Sequence, residues 1–379
     1  METARFETFA DAIIAIAMTV LVLKLPQPES ATIAAFWALK TYYLAYFISF
    51  LTLFNIWYSN HNLFQIVENI DNTAVILNGI LIFEITLIPY FTLWLTQDAY
   101  SIASETSFGL LFIGINIACN LSVRAVHKSD PYNDKLIKAD YDNLYALIPL
   151  TVILIGFVLT YSVFIPGIYI SCLIAVIMWI AIARIHRKGV EKWKSERFEA
   201  LIDAILAIII TIIVLEIPTP ANGSWQALGE LHLEFIVYLI SFIVCFNYWN
   251  YHNNLFSIVN YIDYKVIWSS GLSIFILSLL PYLTSFVANN FHSFFAQSIY
   301  GLDFLLVNLI YIYTSESLKN ADKGNIALQV ALDKNYEFIA TIVTIIIGYV
   351  IGYFFYPPAI IASCLVAIII IWSMPYITK

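Results

Sequence analysis

The chain is 379 residues long, 61% hydrophobic and 12% charged, with a formal net charge of −8 and a mean hydropathy of +0.82. That much apolar surface exceeds what a water-soluble core hides, and uncharged runs of membrane-spanning length recur throughout, so a soluble domain is excluded and the chain reads as an all-α polytopic membrane protein in a lipid bilayer. Nucleic-acid binding has no basic patch to rest on. The six histidines show no metal-ligand spacing, and Cys119, Cys172, Cys245 and Cys364 sit in apolar segments as packing residues; no nucleophile–base pair emerges either, so the expectation is no enzyme and no cofactor.

In chain order, apolar runs bounded by polar or proline-containing stretches predict helices over 9–25, 36–60, 73–95, 106–123, 143–161 and 166–184. Six more follow over 201–217, 228–252, 265–287, 295–314, 335–353 and 358–374. The acidic and polar residues before Phe9 fit poorly with a cleaved signal peptide. Lys and Arg set the orientation of these twelve transmembrane helices. Arg124, Lys128, Lys135 and Lys138 lie between the fourth and fifth helices, and Lys319, Lys323 and Lys334 fill the equivalent later loop. Arg184, Arg187, Lys188, Lys192, Lys194 and Arg197 lie between the two halves. All fall on one side if both termini are cytoplasmic.

The second half copies the first at a constant offset of 192. Arg5-Phe6-Glu7, Asp11-Ala12-Ile13, Thr19, Pro26 and Pro28 recur as Arg197-Phe198-Glu199, Asp203-Ala204-Ile205, Thr211, Pro218 and Pro220. Ser49-Phe50, Trp57 and Leu63-Phe64 return as Ser241-Phe242, Trp249 and Leu255-Phe256, and Pro89-Tyr90 and Ser171-Cys172 as Pro281-Tyr282 and Ser363-Cys364. We read 1–188 as a first six-helix repeat and 189–379 as a second. An even number of spans inserts both copies in the same direction, which makes the repeats parallel, with a pseudo-symmetry axis along the membrane normal.

The best-matched stretch is the first helix of each repeat. Ile16, Thr19 and Leu23 follow at steps of three and four and share one stripe, as do Ile208, Thr211 and Leu215; Asp11 and Asp203 point about 140° away from the isoleucines. Two readings stay open. The threonines form a polar layer in a narrow pore between apolar constrictions, or the stripe is ordinary helix packing with each Thr bonded to its own backbone. Arg5 with Asp11, and Arg197 with Asp203, put opposite charges near the cytoplasmic entrance. An acid within a membrane segment costs about 2.5–3.5 kcal/mol and so calls for a partner in the bundle. Asn55, Trp57, Asn60 and His61 on the second helix, and Asn247, Trp249, His252 and Asn253 in the copy, are candidates; N-capping by the aspartates is the local alternative.

The order R-x-x-x-F-S-D, apolar helix, then W-x-x-H-H-x-L-F resembles the potassium channels typified by the lysosomal transmembrane protein 175 and its bacterial relatives. Copy one reads Arg5-x-x-x-Phe9-Ala10-Asp11 and Trp57-x-x-Asn60-His61-x-Leu63-Phe64. Copy two reads Arg197-x-x-x-Leu201-Ile202-Asp203 and Trp249-x-x-His252-Asn253-x-Leu255-Phe256. Both lack the serine, copy two also lacks the phenylalanine, and each keeps one of the two histidines. The resemblance implies a pore constriction at Ile16 and Ile208, a further apolar layer at Leu23 and Leu215, and a polar layer at Thr19 and Thr211. It also implies a stabilising network of Arg5, Asp11, Trp57, His61, Arg197, Asp203, Trp249 and His252. A potassium-selective cation channel of a bacterial plasma membrane is the function implied, with potassium ions as the permeant species and not the usual potassium-channel fold. No T-V-G-Y-G filter exists; Gly348-Tyr349 forms a G-x-x-x-G pattern with Gly352, which fits helix packing. Since one chain supplies two pore helices, we expect a homodimer with a pseudo-fourfold pore.

Lys24 and Glu216 occupy equivalent positions beyond the outer leucines, either bridged at the outer mouth or each snorkelling to water. Glu84 and Asp303 have uncharged counterparts, Ile276 and Leu111, and are partnered in the bundle or relay protons. They sustain the alternative function, a proton-conducting channel or a proton-coupled secondary transporter.

Overall fold

A computed structural model describes residues 3–67, 69–98, 100–134, 136, 143–186, 192–332 and 336–377. The basic loop residues Lys135, Lys138, Arg187, Lys188 and Lys334 lie outside these. In chain order the helices are α1 (Thr3–Val20), α2 (Ile33–Ala38), α3 (Lys40–Phe64), α4 (Asn72–Gln97), α5 (Ile102–Ser129), α6 (Asn143–Ser162), α7 (Gly167–His186) and α8 (Glu196–Leu215). They continue as α9 (Trp225–Glu230), α10 (His232–Phe256), α11 (Tyr264–Leu277), α12 (Leu280–Asn289), α13 (Phe294–Ala321), α14 (Ile326–Ala331), α15 (Tyr336–Phe354) and α16 (Ala359–Ile377). Among the described residues, seven helical segments are long and apolar enough to cross a membrane: Arg5–Lys24, Asn72–Gln97, Ile102–Ser129, Glu196–Leu215, His232–Phe256, Tyr264–Asn289 and Phe294–Ala321. Shorter apolar helices lie at Leu147–Ser162, Gly167–Ile182, Phe338–Phe354 and Ala359–Ser373.

The chain forms two compact units, Met1–Pro26 with Lys40–Gly189, and Gln27–Leu39 with Val190–Lys379. In the first, α1 packs on α3 and α4, α4 on α5, and α5 on the tightly paired α6 and α7. One core joins Ile48, Phe108, Phe112, Ile153, Ile168 and Cys172; a second gathers Phe6, Phe64, Ile82 and Val126 near the start of α1. In the second unit α8 lies on α10, α11 and α12, and α13 on the paired α15 and α16.

Side-chain bonds repeat at the sequence offset. Asp71 caps α4 on the Ala74 N–H at 2.8 Å, and Asp263 caps α11 on that of Val266 at 3.0 Å. The Ser49–Thr92 hydroxyl pair, 2.7 Å, returns as Ser241–Thr284, 2.7 Å. Phe6 meets Phe64 at 6.1 Å between ring centroids, and Phe198 meets Phe256 at 6.0 Å. A Cβ on Gly156 would collide with Ser171, and one on Gly348 with Ser363, so α6 and α15 approach their partners as closely as glycine permits. Gly348 and Gly352 both face α16, in keeping with the packing reading of that pattern.

Several boundaries differ from expectation. The first helix begins at Thr3, not Phe9. The segment predicted as 36–60 is two helices, because Thr32 caps α2 and the chain turns at Leu39 before α3. The segment predicted as 265–287 is divided, with Pro281 in the first turn of α12 where its missing N–H is tolerated. Pro89, its counterpart, stays inside an unbroken α4.

Beyond the end of α13, Asp322 is 6% exposed and accepts hydrogen bonds from the Asn260 backbone N–H (2.9 Å), the Asn260 amide (3.2 Å) and the Asn325 amide (2.9 Å). Burial alone raises its carboxyl, but these donors, with Lys192 nearby, hold it below the usual carboxylate value. A depressed carboxyl contributes stability that is full above the unfolded pKa, about 3.9, and is lost as pH falls through the lower folded value. Asp322→Asn should lower the melting temperature at pH 7 and flatten its decline below about pH 4, read by thermal unfolding in detergent. Equal acid dependence in variant and parent would show that other carboxylates govern it.

Candidate functional site

Asp11 and Asp203 lie about two turns inside α1 and α8, with helical residues on both sides. An N-cap flanks the helix with non-helical backbone, so the capping alternative is excluded. In the second repeat the Trp249 indole N–H donates to Asp203 Oδ1 at 2.9 Å, tying α10 to α8. In the first, Asp11 and Trp57 are both buried, and Trp57 stacks on His61 with centroids 4.9 Å apart. His61 Nε2 lies 2.8 Å from the Gln65 amide nitrogen. His252 stacks instead on Phe256 at 4.0 Å and Tyr248 at 6.0 Å. The two histidines occupy neighbouring rather than equivalent positions, since Asn253 is the counterpart of His61, and each therefore finds different rings. Arg5 is exposed and Arg197 half-buried, each about 9 Å along the helix from its aspartate and about 120° around it.

Ile16 is 50% exposed and shares the open side of α1 with Phe9 and Ala12, and Leu23, in the 3₁₀ turn that follows, is exposed as well. Thr19 is buried, and its hydroxyl donates to the Ala15 and Ile16 carbonyls at 2.9 and 3.0 Å. On α8 the open side carries Asp203, Ala207, Thr211 and Val214, one residue or about 100° around from its counterpart on α1. Leu215 is 71% exposed, Ile208 is half-buried, and the Thr211 hydroxyl donates to the Ile208 carbonyl at 2.8 Å. Both threonines thus make the backbone bond anticipated for the packing reading. That bond uses the hydroxyl proton and leaves oxygen lone pairs, the chemistry a cation requires. Beyond the C-terminal end of α1 Lys24 is exposed in a 3₁₀ turn, while Glu216, at the end of α8, is half-buried and accepts a hydrogen bond from Ser285.

Glu84 is half-buried with its carboxylate in the space left by Gly114, where a Cβ would lie 2.7 Å from Oε1. Asp303 Oδ2 is buried, with no hydrogen-bond partner among the described residues, beside a cleft that Asn247, Tyr248 and Tyr311 also line. Glu105 escaped the sequence reading. It is 1% exposed and accepts the backbone N–H of Tyr169 at 2.9 Å in the first turn of α7, where a carboxylate answers the helix dipole. Its counterpart, Gln297, donates to the Phe291 carbonyl at 2.7 Å, so the two repeats satisfy one buried position with different chemistry.

The sequence profile of the family described as endosomal/lysosomal potassium channel TMEM175 matches residues 5–89 and again 197–281, the portions that carry α1, α3, α8 and α10. A potassium channel of Chryseobacterium sp. (strain P1-3) is 30% identical over 182 residues, 92% of that protein and 47% of this chain. A potassium channel of Chamaesiphon minutus is 28% identical over 155 residues, 75% of its length and 38% of this chain. The endosomal/lysosomal proton channel TMEM175 of Danio rerio is 25% identical over 306 residues, which cover 66% of this chain and 57% of that protein. With the profile recurring in both repeats and a relative at 30% identity matched almost end to end, the chain belongs to the TMEM175 ion-channel family.

Proposed function

We propose that the protein is a potassium-selective cation channel, a homodimer in which α1 and α8 of two copies line a pseudo-fourfold pore. Each chain crosses the bilayer twelve times, as two parallel six-helix repeats with both termini cytoplasmic, in a bacterial plasma membrane. The observation that carries this reading is the recurrence of Ile-x-x-Thr-x-x-x-Leu on the first helix of both repeats, within the stretch the family profile matches. A relative named a potassium channel aligns over nearly its whole length with less than half of this chain, which supports two chains here doing the work of four single repeats. Isoleucine side chains at 16 and 208 offer no oxygen to replace an ion's hydration shell and form a barrier that conducts only when wide enough to wet. Thr19 and Thr211 supply the polar layer, Leu23 and Leu215 a second apolar one, and Lys24 and Glu216 mark the outer mouth. The Trp249–Asp203 bond holds the pore helix against the second helix of its repeat. Potassium flux from proteoliposomes holding only purified protein tests the reading; sealed vesicles that keep their potassium gradient would overturn it.

Proton conduction is the second reading, favoured by the proton-channel name of the vertebrate relatives and by the buried Asp303 carboxylate beside its cleft. In potassium-free vesicles with a pH gradient, proton flux that Asp303→Asn abolishes would favour it over potassium selectivity.

A further inference from the structure

The connection between the first and second long helices is seated in one repeat and open in the other. In the first repeat, Phe36 on α2 places its ring 6.2 Å from Phe286 and 5.8 Å from Phe295, and the Gln27 amide donates to the Tyr282 carbonyl at 3.1 Å. All three receiving residues lie on α12 and α13, which is why Gln27–Leu39 belongs to the second unit. The second repeat carries the same device. Ser224 caps α9 on the Ala227 N–H at 3.1 Å, as Thr32 caps α2 on that of Ala35 at 3.3 Å, and Leu228 stands at the position of Phe36 and Trp225 at that of Ile33. Trp225 is 88% exposed and Leu228 is also exposed.

The seat has its counterpart too. Tyr90, Trp94 and Ala103 of the first repeat correspond to Tyr282, Phe286 and Phe295. Tyr90 is 63% exposed where Tyr282 is 3%, Ala103 is exposed, and Trp94 is half-buried where Phe286 is 1% exposed. One strap and one seat therefore meet, while the second strap and the first repeat's seat both stand open. We propose that the α9 strap of one chain, residues 219–231, docks on the Tyr90–Trp94–Ala103 seat of a second copy. The contact is head-to-tail, and its second step carries the chain back to its starting point after two copies, so four straps fill four seats and the ring closes without an open end. Leu228 and Trp225 then cover this seat as Phe36 covers Phe286 and Phe295. The exchange of sizes is complementary, since Ala103 is smaller than Phe295 and Trp225 is larger than Ile33. This rests on the homodimer reading and adds which surfaces join the copies.

The test uses full-length protein in membranes, where the four native cysteines are buried. Two differently tagged copies are co-expressed, one with Ala103→Cys and one with Leu228→Cys, and treated with a short bismaleimide. A covalent product of twice the chain mass carrying both tags is expected. Phe36→Cys with Phe295→Cys in one chain is the reference and should cross-link without a change of mass. A native-mass dimer that reacts at the reference pair but not at 103 and 228 would overturn the strap contact and leave the dimer standing. Cross-linking within a single chain carrying both Ala103→Cys and Leu228→Cys would overturn it as well. A monomer by native mass spectrometry would remove the dimer reading and the strap contact with it.

Discussion

In the proposed potassium-selective pore, replacing Ile16 and Ile208 together by asparagine should raise resting cation current and cut the preference for potassium over sodium by about tenfold, equivalent to about 1.4 kcal/mol of discrimination. Asparagine keeps similar bulk but supplies a carbonyl and an amide, so the isoleucine ring of the proposed pore would change from one that excludes water to one that wets at the same radius. Both isoleucines are open enough in one chain to accept the change, Ile16 at 50% exposure and Ile208 half-buried. The comparison lies about 160° around each helix, at Ile14 and Leu206. These are 0% and 1% exposed, and an amide buried there without partners costs folding rather than selectivity. Cysteine is the gentler comparator. A hydrophilic thiol reagent should alter current through Ile16→Cys and Ile208→Cys and leave Ile14→Cys and Leu206→Cys untouched. Unchanged selectivity in the asparagine double variant, measured in planar bilayers, would remove this stripe from the pore.

The features legible in the sequence were those that depend on composition and local spacing. Apolar runs located the long helices, and the offset of 192 gave the equivalent positions; contacts seen only in the structure, such as Phe6–Phe64 and Phe198–Phe256, recur at that offset because a duplicated module duplicates its contacts. What escaped depends on distant chain. Glu105 owes its role to a backbone N–H of Tyr169 on another helix, which no window of sequence around residue 105 contains. Pro89 and Pro281 share their position in the repeat, yet only the second opens a new helix, so tertiary packing decides whether the lost hydrogen bond breaks the rod. The α2 strap serves the second unit although it lies within the first repeat, a choice the repeat pattern alone does not encode. The open faces of α1 and α8 differ by one residue because exposure reflects neighbours rather than periodicity; identical spacing therefore gave equivalent positions but not equivalent environments.

Loss of the Trp249–Asp203 bond should cost more in folded protein than in ion preference. Asp203 accepts the Trp249 indole N–H at 2.9 Å, and a hydrogen bond to an ionised group contributes about 1.5–3 kcal/mol to stability. Asp203→Ala and Trp249→Phe should each lower stability by an amount in that range. Their combination should cost little more than the larger single change, because both remove the same bond and the cycle isolates that shared contribution. Asp203→Asn keeps an acceptor oxygen for the indole and should recover part of the loss, which a purely Coulombic role for the acid would not permit. The readouts are thermal unfolding and, for the proposed homodimer, the fraction of native-mass dimer, with reversal potentials measured on the protein that survives. In the first repeat Asp11 and Trp57 are buried more deeply than Asp203 and Trp249, so Asp11→Ala should be the more damaging of the two aspartate changes. Wild-type stability with an altered potassium-to-sodium ratio in Asp203→Ala would instead place this carboxylate among the groups that permeating ions meet.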